Sequence, residues 1–183
     1  MRPCVLLYPL LLLVRGGNGL VRRTTGPQIA STTARWATTQ IFVVGKKGAV
    51  EDWISAGCGE FEKRLKPVLD LETVYLKNDE ALVSTVMQAK GITVCLDEKG
   101  ESLSSRAFEK YYFGLIEKSQ SAQCNFVIGG FAGLPDELRN NPARFPLLSL
   151  SKLTWTHQMA RLLLIEQIYR AHEIKKGSNY HKD

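Results

Sequence analysis

The chain has 183 residues, 44% of them hydrophobic, and a formal net charge of +6. This suits one globular domain that buries a proper core, and nothing in it calls for two. Residues 1–40 hold five of the 24 lysines and arginines and no acid, so the rest carries 19 bases against 18 acids, +1; whole-chain charge is therefore poor evidence for nucleic-acid binding.

In chain order, Arg2 precedes an apolar run from Cys4 to Val14, too short to span a bilayer as a helix and similar to the hydrophobic region of a signal peptide. From Val21 to Gln40 the composition turns to Arg, Thr, Ser and Ala without acids, the character of an organellar transit peptide. A signal-like run followed by a transit-like run suits a plastid wrapped in extra membranes, with the mitochondrion as the competing destination. Residues 1–39 are thus expected to be a targeting segment, disordered or removed and without stable membrane association, and residues 40–183 to be the folded domain.

Within the domain, Ile41 to Val44 closed by Gly45 reads as a strand and turn. Trp53, Ile54, Cys58, Phe61 and Leu65 recur at helical spacing in residues 51–65, and Pro67 stops that helix. Leu69 to Leu76 is a strand. Asn78 or Asp79 caps a helix through about Lys90, with Gly91 as its stop. Ile92 to Leu96 is an apolar strand ending at Asp97, Ser104 caps a helix to about Lys118, and Asn125 to Ile128 is the next strand. Pro135 opens a short helix ending near Asn140, Leu147 to Leu150 is the last strand, and the final helix runs from about Thr156 to Ile174. It is apolar around more than half of its circumference, which suggests packing on the sheet and on a partner subunit. Strands alternate with helices and several are apolar on both sides. The fold class is therefore α/β, a largely parallel sheet covered on both faces.

Ligands in open α/β sheets gather at the carboxyl ends of strands. Three points qualify: Leu96, the pair Gly129 and Gly130, and the segment Leu150, Ser151, Lys152, Leu153, Thr154, Trp155. Glycines without a Cβ let a ligand lie against bare backbone, and unpaired N–H groups at strand ends and helix starts offer it donors. The plainer readings are a turned corner and core leucines. Gly129-Gly130-x-x-Gly133 is not GxGxxG, no acid follows about twenty residues on, and no GxxxxGK[ST] or GxSxG exists. Cys4, Cys58, Cys95 and Cys124 show neither a CxxC pair nor metal-ligand spacing with the histidines, so no metal is expected, and Cys95 and Cys124 read as buried thiols. His157 and His181 are candidate proton acceptors because histidine titrates near neutral pH, although His157 has a structural reading as well. His172 reads as a capping or surface residue near a helix end. Arg161, Glu166 and Arg170 fall at pairing distance along the same helix, in a solvated or structural role.

Four motifs in fixed order extend this reading: Ile128-Gly129-Gly130-x-x-Gly133-Leu134; Leu148-Ser149-Leu150-Ser151-x-Leu153-Thr154-x-x-His157-x-x-x-Arg161; Glu166-x-x-Tyr169-Arg170-Ala171; and Asn179-Tyr180-His181-Lys182. Together they resemble the SPOUT class of RNA methyltransferases and, within it, the RlmH family of ribosomal large-subunit pseudouridine methyltransferases, over about residues 41–183. The resemblance implies a mostly parallel sheet flanked by helices and a C-terminal trefoil knot, which no periodicity predicts. It implies S-adenosyl-L-methionine bound at Leu96, Gly129, Gly130 and Leu150 through Trp155. It also implies a homodimer in which the tail helps form the acceptor site: Tyr180 stacking on a base, His181 hydrogen-bonding to it, Lys182 contacting a phosphate. The implied reaction is methyl transfer to N3 of a pseudouridine in 23S-type RNA of the large subunit or 70S-type ribosome. Such transfer needs positioning more than covalent help. Two departures stand out. Lys182 replaces the usual arginine and loses its planar fork, and Phe131-Ala132 replaces the acid that often follows the glycines, leaving the catalytic base unassigned. A methyltransferase of the same class for another RNA position, and a non-catalytic ribosome-assembly factor of the same fold, remain as alternatives.

Overall fold

A computed structural model describes residues 37–182. Of the expected targeting segment only residues 37–39 fall within it, and Cys4 lies outside the described residues. Five strands, β1 Thr38–Val44, β2 Asp70–Leu76, β3 Ile92–Ser102, β4 Gln123–Ile128 and β5 Leu147–Ser149, form one sheet in the order β2-β1-β4-β3-β5. All four ladders are parallel. Five helices connect and cover them: α1 Asp52–Leu65, α2 Asp79–Gln88, α3 Ser105–Lys118, α4 Asp136–Arg139 and α5 His157–Lys176.

Side chains alternate across a strand, and both faces of this sheet are buried. Ile41 and Val43 of β1, Val94 of β3, and Phe126 and Ile128 of β4 pack with Ile54 and Cys58 of α1, Tyr112 of α3 and Leu164, Ile165 and Ile168 of α5. Phe42, Cys95 and Val127 point the other way, against Leu82 and Val86 of α2 and Leu134, Leu138 and Phe145 of the β4–β5 connection. That two-sided burial is why the strands read as continuous apolar runs. The helix starts follow the caps: Asn78 accepts from the Ala81 N–H at 3.1 Å, Ser104 from Ala107 at 3.2 Å and Thr156 from Met159 at 3.3 Å. Gly177, at φ +73°, closes α5 in the left-handed conformation.

The structure departs from the expected elements where polar residues carry the backbone. β1 begins at Thr38, so Thr38 and Thr39 belong to the sheet rather than to the leading segment, and β4 begins at Gln123. The polar side chains there satisfy one another: Thr39 Oγ1 lies 2.8 Å from the Tyr112 hydroxyl, and Asn125 Nδ2 donates to Lys90 O at 2.7 Å and to Thr93 Oγ1 at 3.1 Å. Buried polar groups are tolerated in that state, and hydropathy alone misses them. β3 does not end at Asp97 but runs to Ser102, with a register shift between Leu96 and Glu101 so that both pair with Leu148. α2 stops at Gln88, short of Lys90, because Ala89 is already extended.

Two side chains differ from their expected roles. His172 is not a surface cap: its Nε2 is buried without a hydrogen-bond partner, and its ring meets Phe113 and Tyr112 edge-on at 5.0 and 5.9 Å. Burial lowers its pKa to about 4. Arg161 is 6% exposed and is neither solvated nor paired with Glu166. A separation of five residues puts the two on different faces of α5, whereas Glu166 and Arg170, four apart, form the expected ion pair at 2.6 Å. Cys58, Cys95 and Cys124 are buried thiols, the last two pushed up to about 12 by burial.

Candidate functional site

The register shift in the middle of β3 and the carboxyl ends of β4 and β5 enclose a cavity of about 380 Å³. Leu96, Gly129, Gly130, Leu150, Ser151, Leu153, Thr154 and Trp155 all line it, so residues up to 59 positions apart in sequence share one wall. Lys152 is the exception. It is exposed, and its ammonium reaches the Glu98 carbonyl at 3.5 Å without lining the cavity. The size lies within the roughly 300–1,000 Å³ of small-ligand sites.

Each loop is built by its own short side chains. After β4 the chain turns back at once: Gly133 N–H donates to Gly130 O at 3.0 Å, and Gly133 takes φ +85°. A Cβ at Gly129 would collide with the Gly133 carbonyl, whereas one at Gly130 would make only an ordinary 3.4 Å contact with Val44. Gly129 is therefore required by the turn itself, whereas Gly130 lines the cavity with backbone and has room for a Cβ beside Val44 and Asp79. After β5, Ser149 Oγ donates to Ser151 O at 2.8 Å and Ser151 Oγ accepts from Leu153 N–H at 3.0 Å. Thr154 Oγ1 donates to the Glu98 carboxylate at 2.9 Å, tying this loop to the second half of β3. Phe131 is fully exposed, and Leu153 and Trp155 are 66% and 39% exposed, so three large apolar side chains ring the mouth.

His157 opens α5 and lines the cavity. The tail does not reach it. The tail folds back onto α5 from Glu166, at the middle of the helix and about 14 Å along its axis from His157, to Arg170. There Tyr180 donates to Glu166 at 3.0 Å, its ring lies 4.8 Å from the Arg170 guanidinium and 4.9 Å from the Tyr169 ring, and His181 Nδ1 is 3.3 Å from Arg170. Burial, then the Glu166 charge, raises the Tyr180 hydroxyl pKa. Lys182 is exposed. Within one chain Tyr180, His181 and Lys182 thus form one cluster and the cavity residues another.

Two charged residues of the wall carry no motif of their own. Asp97, 8% exposed, accepts from Arg139 Nε at 3.1 Å and from the Lys99 N–H at 2.9 Å, and both Asp97 and Arg139 line the cavity. An acid directly after an apolar strand was the available signal for Asp97. Arg139 comes from α4, whose placement under the cavity is tertiary. A second cavity of about 350 Å³ lies at the ends of β1 and β4 and shares Gly130, Phe131 and His157 with the first.

The model of a family described as "Predicted SPOUT methyltransferase" matches residues 38–181. The chain is 43% identical over 143 residues to the ribosomal RNA large subunit methyltransferase H of Protochlamydia amoebophila, covering 78% of this chain and 97% of that protein. It is 35% identical to the protein of the same name from Dictyoglomus thermophilum, covering 78% and 97%, and 36% identical to that of Prochlorococcus marinus, covering 78% and 95%. With the family model matching residues 38–181 and nearly the whole length of these relatives matched, this chain belongs to the SPOUT methyltransferases.

Proposed function

We propose that the chain is an S-adenosylmethionine-dependent methyltransferase of large-subunit ribosomal RNA, that it methylates N3 of a pseudouridine as a knotted homodimer, and that residues 1–39 direct it to an organelle, a plastid rather than a mitochondrion. The names of its relatives support the RNA substrate, and the family resemblance of its tail supports the pseudouridine. S-adenosylmethionine supplies an already activated methyl group. The chain's own residues fit such a ligand: Leu96, Leu150 and Leu153 offer apolar walls for adenine, and the main chain at Gly130 and through residues 151–155 offers polar contacts. The remaining task is to hold the acceptor in line and to receive the N3 proton. Of the two candidate bases only His157 stands at the cavity of its own chain.

The observation that carries the dimeric reading is that the tail is held on α5 and lines neither cavity of its own chain. Its anchor at Glu166 lies about 14 Å along α5 from His157, so a tail held there would complete the cavity of a partner copy, and the exposed Phe131, Leu153 and Trp155 give the mouth an apolar rim for that copy to cover. Removing residues 179–183 should leave S-adenosylmethionine binding within about threefold, less than roughly 1 kcal/mol, while methylation of ribosomal substrate falls by about a hundredfold. Mixing that truncated chain with a Gly130→Val chain should restore part of the activity, since one composite site is then intact. Full activity of the truncated chain would remove the tail from the site. A non-catalytic assembly factor would instead give neither heat nor thermal shift with S-adenosylmethionine.

A further inference from the structure

The second cavity holds a cation without a counter-ion. Arg161 is 6% exposed and lines it, with its guanidinium 5.5 Å from the centre of the Tyr75 ring and directed at the Cys58 thiol. Among the described residues no carboxylate pairs with it. The nearby acids form no ion pair with it: Glu51 takes the Trp53 indole N–H, Glu166 takes Arg170 and Tyr180, and Glu62 beside Cys58 and Asp79 beside Gly130 stay beyond salt-bridge reach. A buried charge without a partner is costly, and an aromatic face offsets only part of that cost. An oxyanion would complete the site, and a planar guanidinium is the group best suited to grip one.

The walls are built rather than incidental. Val43, Val44, Val50 and Tyr75 make them apolar, and Gln158 of α5 pins the loop above by donating to Ala49 O and accepting from the Glu51 N–H, both at 3.2 Å. Lys46 stands exposed at the rim. The cavity also occupies a switch in topology. β1 and β4 are neighbours, but the chain leaves β1 for α1 on one face of the sheet and leaves β4 for α4 on the other. The crevice so opened is where ligands of such sheets settle. Through Gly130, Phe131 and His157 it continues into the first cavity.

Resting on the reading of this chain as an RNA methyltransferase, we propose that the second cavity seats a phosphodiester of the substrate RNA beside the acceptor nucleotide, gripped by Arg161 with Lys46 at the rim. The acceptor base then faces the cofactor cavity while its own backbone is anchored a few ångströms away.

The test uses the full chain and large ribosomal subunits at several salt concentrations. Arg161→Gln should weaken binding at least tenfold and flatten the slope of log affinity against log salt by about 0.7–0.9, the signature of one lost phosphate contact. S-adenosylmethionine affinity, by calorimetry, should stay within threefold. Arg161→Lys should restore the slope but only part of the affinity, since it keeps the charge and loses the fork. In the unmodified protein the Arg161 Nε–H resonance should move on addition of inorganic phosphate and stay in place with S-adenosylmethionine, which decides the matter even if Arg161→Gln does not fold. An unchanged salt slope in a folded Arg161→Gln chain overturns the proposal. So does a resonance that moves with S-adenosylmethionine alone, which would assign the anion to the cofactor's carboxylate. A wild-type chain that does not methylate the subunits at all would fault the RNA methyltransferase reading instead, and the phosphate titration would still report on the cavity.

Discussion

Gly129 and Gly130 stand side by side in sequence and do different work. The first is pressed against the Gly133 carbonyl, and the second has only an ordinary contact with Val44. Gly129→Ala should therefore disturb the turn and lower both thermal stability and cofactor affinity. Gly130→Ala should keep the melting temperature and lose affinity only if a ligand lies against that backbone. Calorimetry and thermal melts on the two variants separate turn from cradle, and equal behaviour would contradict the distinction. His172 gives a second residue-scale prediction. Its pKa is held at about 4 in the fold, below its ordinary 6.5, by burial and by Lys175. A depressed pKa contributes stability that is complete above pH 6.5 and is lost as the pH falls toward 4, because the unfolded chain takes up the proton first. Urea midpoints should decline over that window in the wild type and decline less in His172→Phe, which keeps a ring between Tyr112 and Phe113.

At the scale of elements, α5 connects the two halves of the candidate site. Its first residue lines both cavities, Arg161 enters the second one, and Glu166, Tyr169 and Arg170, from its middle onward, hold the tail. Between them Leu164, Ile165 and Ile168 are fully buried against α1, α3 and the sheet. Ile168→Ala should destabilise the fold by about 2–5 kcal/mol, measured by urea unfolding. Glu166→Gln should loosen the tail while leaving S-adenosylmethionine binding unchanged, because Tyr180 and Arg170 both converge on that carboxylate and none of the three lines either cavity. A change in cofactor affinity on Glu166→Gln would show that tail and cavity are coupled within one subunit.

For the molecule as a whole, the start of the sheet is held by hydrogen bonds rather than by apolar residues. Asp70 N–H donates to Ala37 O and Thr38 N–H to Ala122 O, both at 3.1 Å, and Thr39 is fully buried against Tyr112. A chain beginning at Trp36 should fold and bind cofactor as the full chain does. One beginning at Ile41 leaves the Tyr112 hydroxyl without its partner, at about 1–3 kcal/mol, and should melt roughly 5 °C lower or more. Equal melting temperatures would show that these ties contribute nothing.

Much of this organisation is local and was legible in sequence. Asn78, Ser104 and Thr156 cap helices because a short polar side chain can reach its own first-turn N–H. The alternation of strands and helices, the apolar runs and the small residues at strand ends indicate a parallel sheet with ligand loops at one edge. The order β2-β1-β4-β3-β5, the extension of β3 past its bulge and the meeting of Leu96, Gly130 and Trp155 on one wall are decided by long-range pairing, which no window of neighbouring residues contains. The same holds for single residues. Helical spacing put Arg161 beside Glu166 and Arg170 in a solvated or structural role, and His172 near a helix end as a capping or surface residue, but which face of α5 is covered depends on α1, α3 and β2 arriving from elsewhere in the chain. Local sequence determines which elements form, since caps, turns and periodicity act within a few residues; burial, and with it the unpaired guanidinium and the neutral histidine, comes only from tertiary packing, because desolvation is imposed by neighbours distant in sequence.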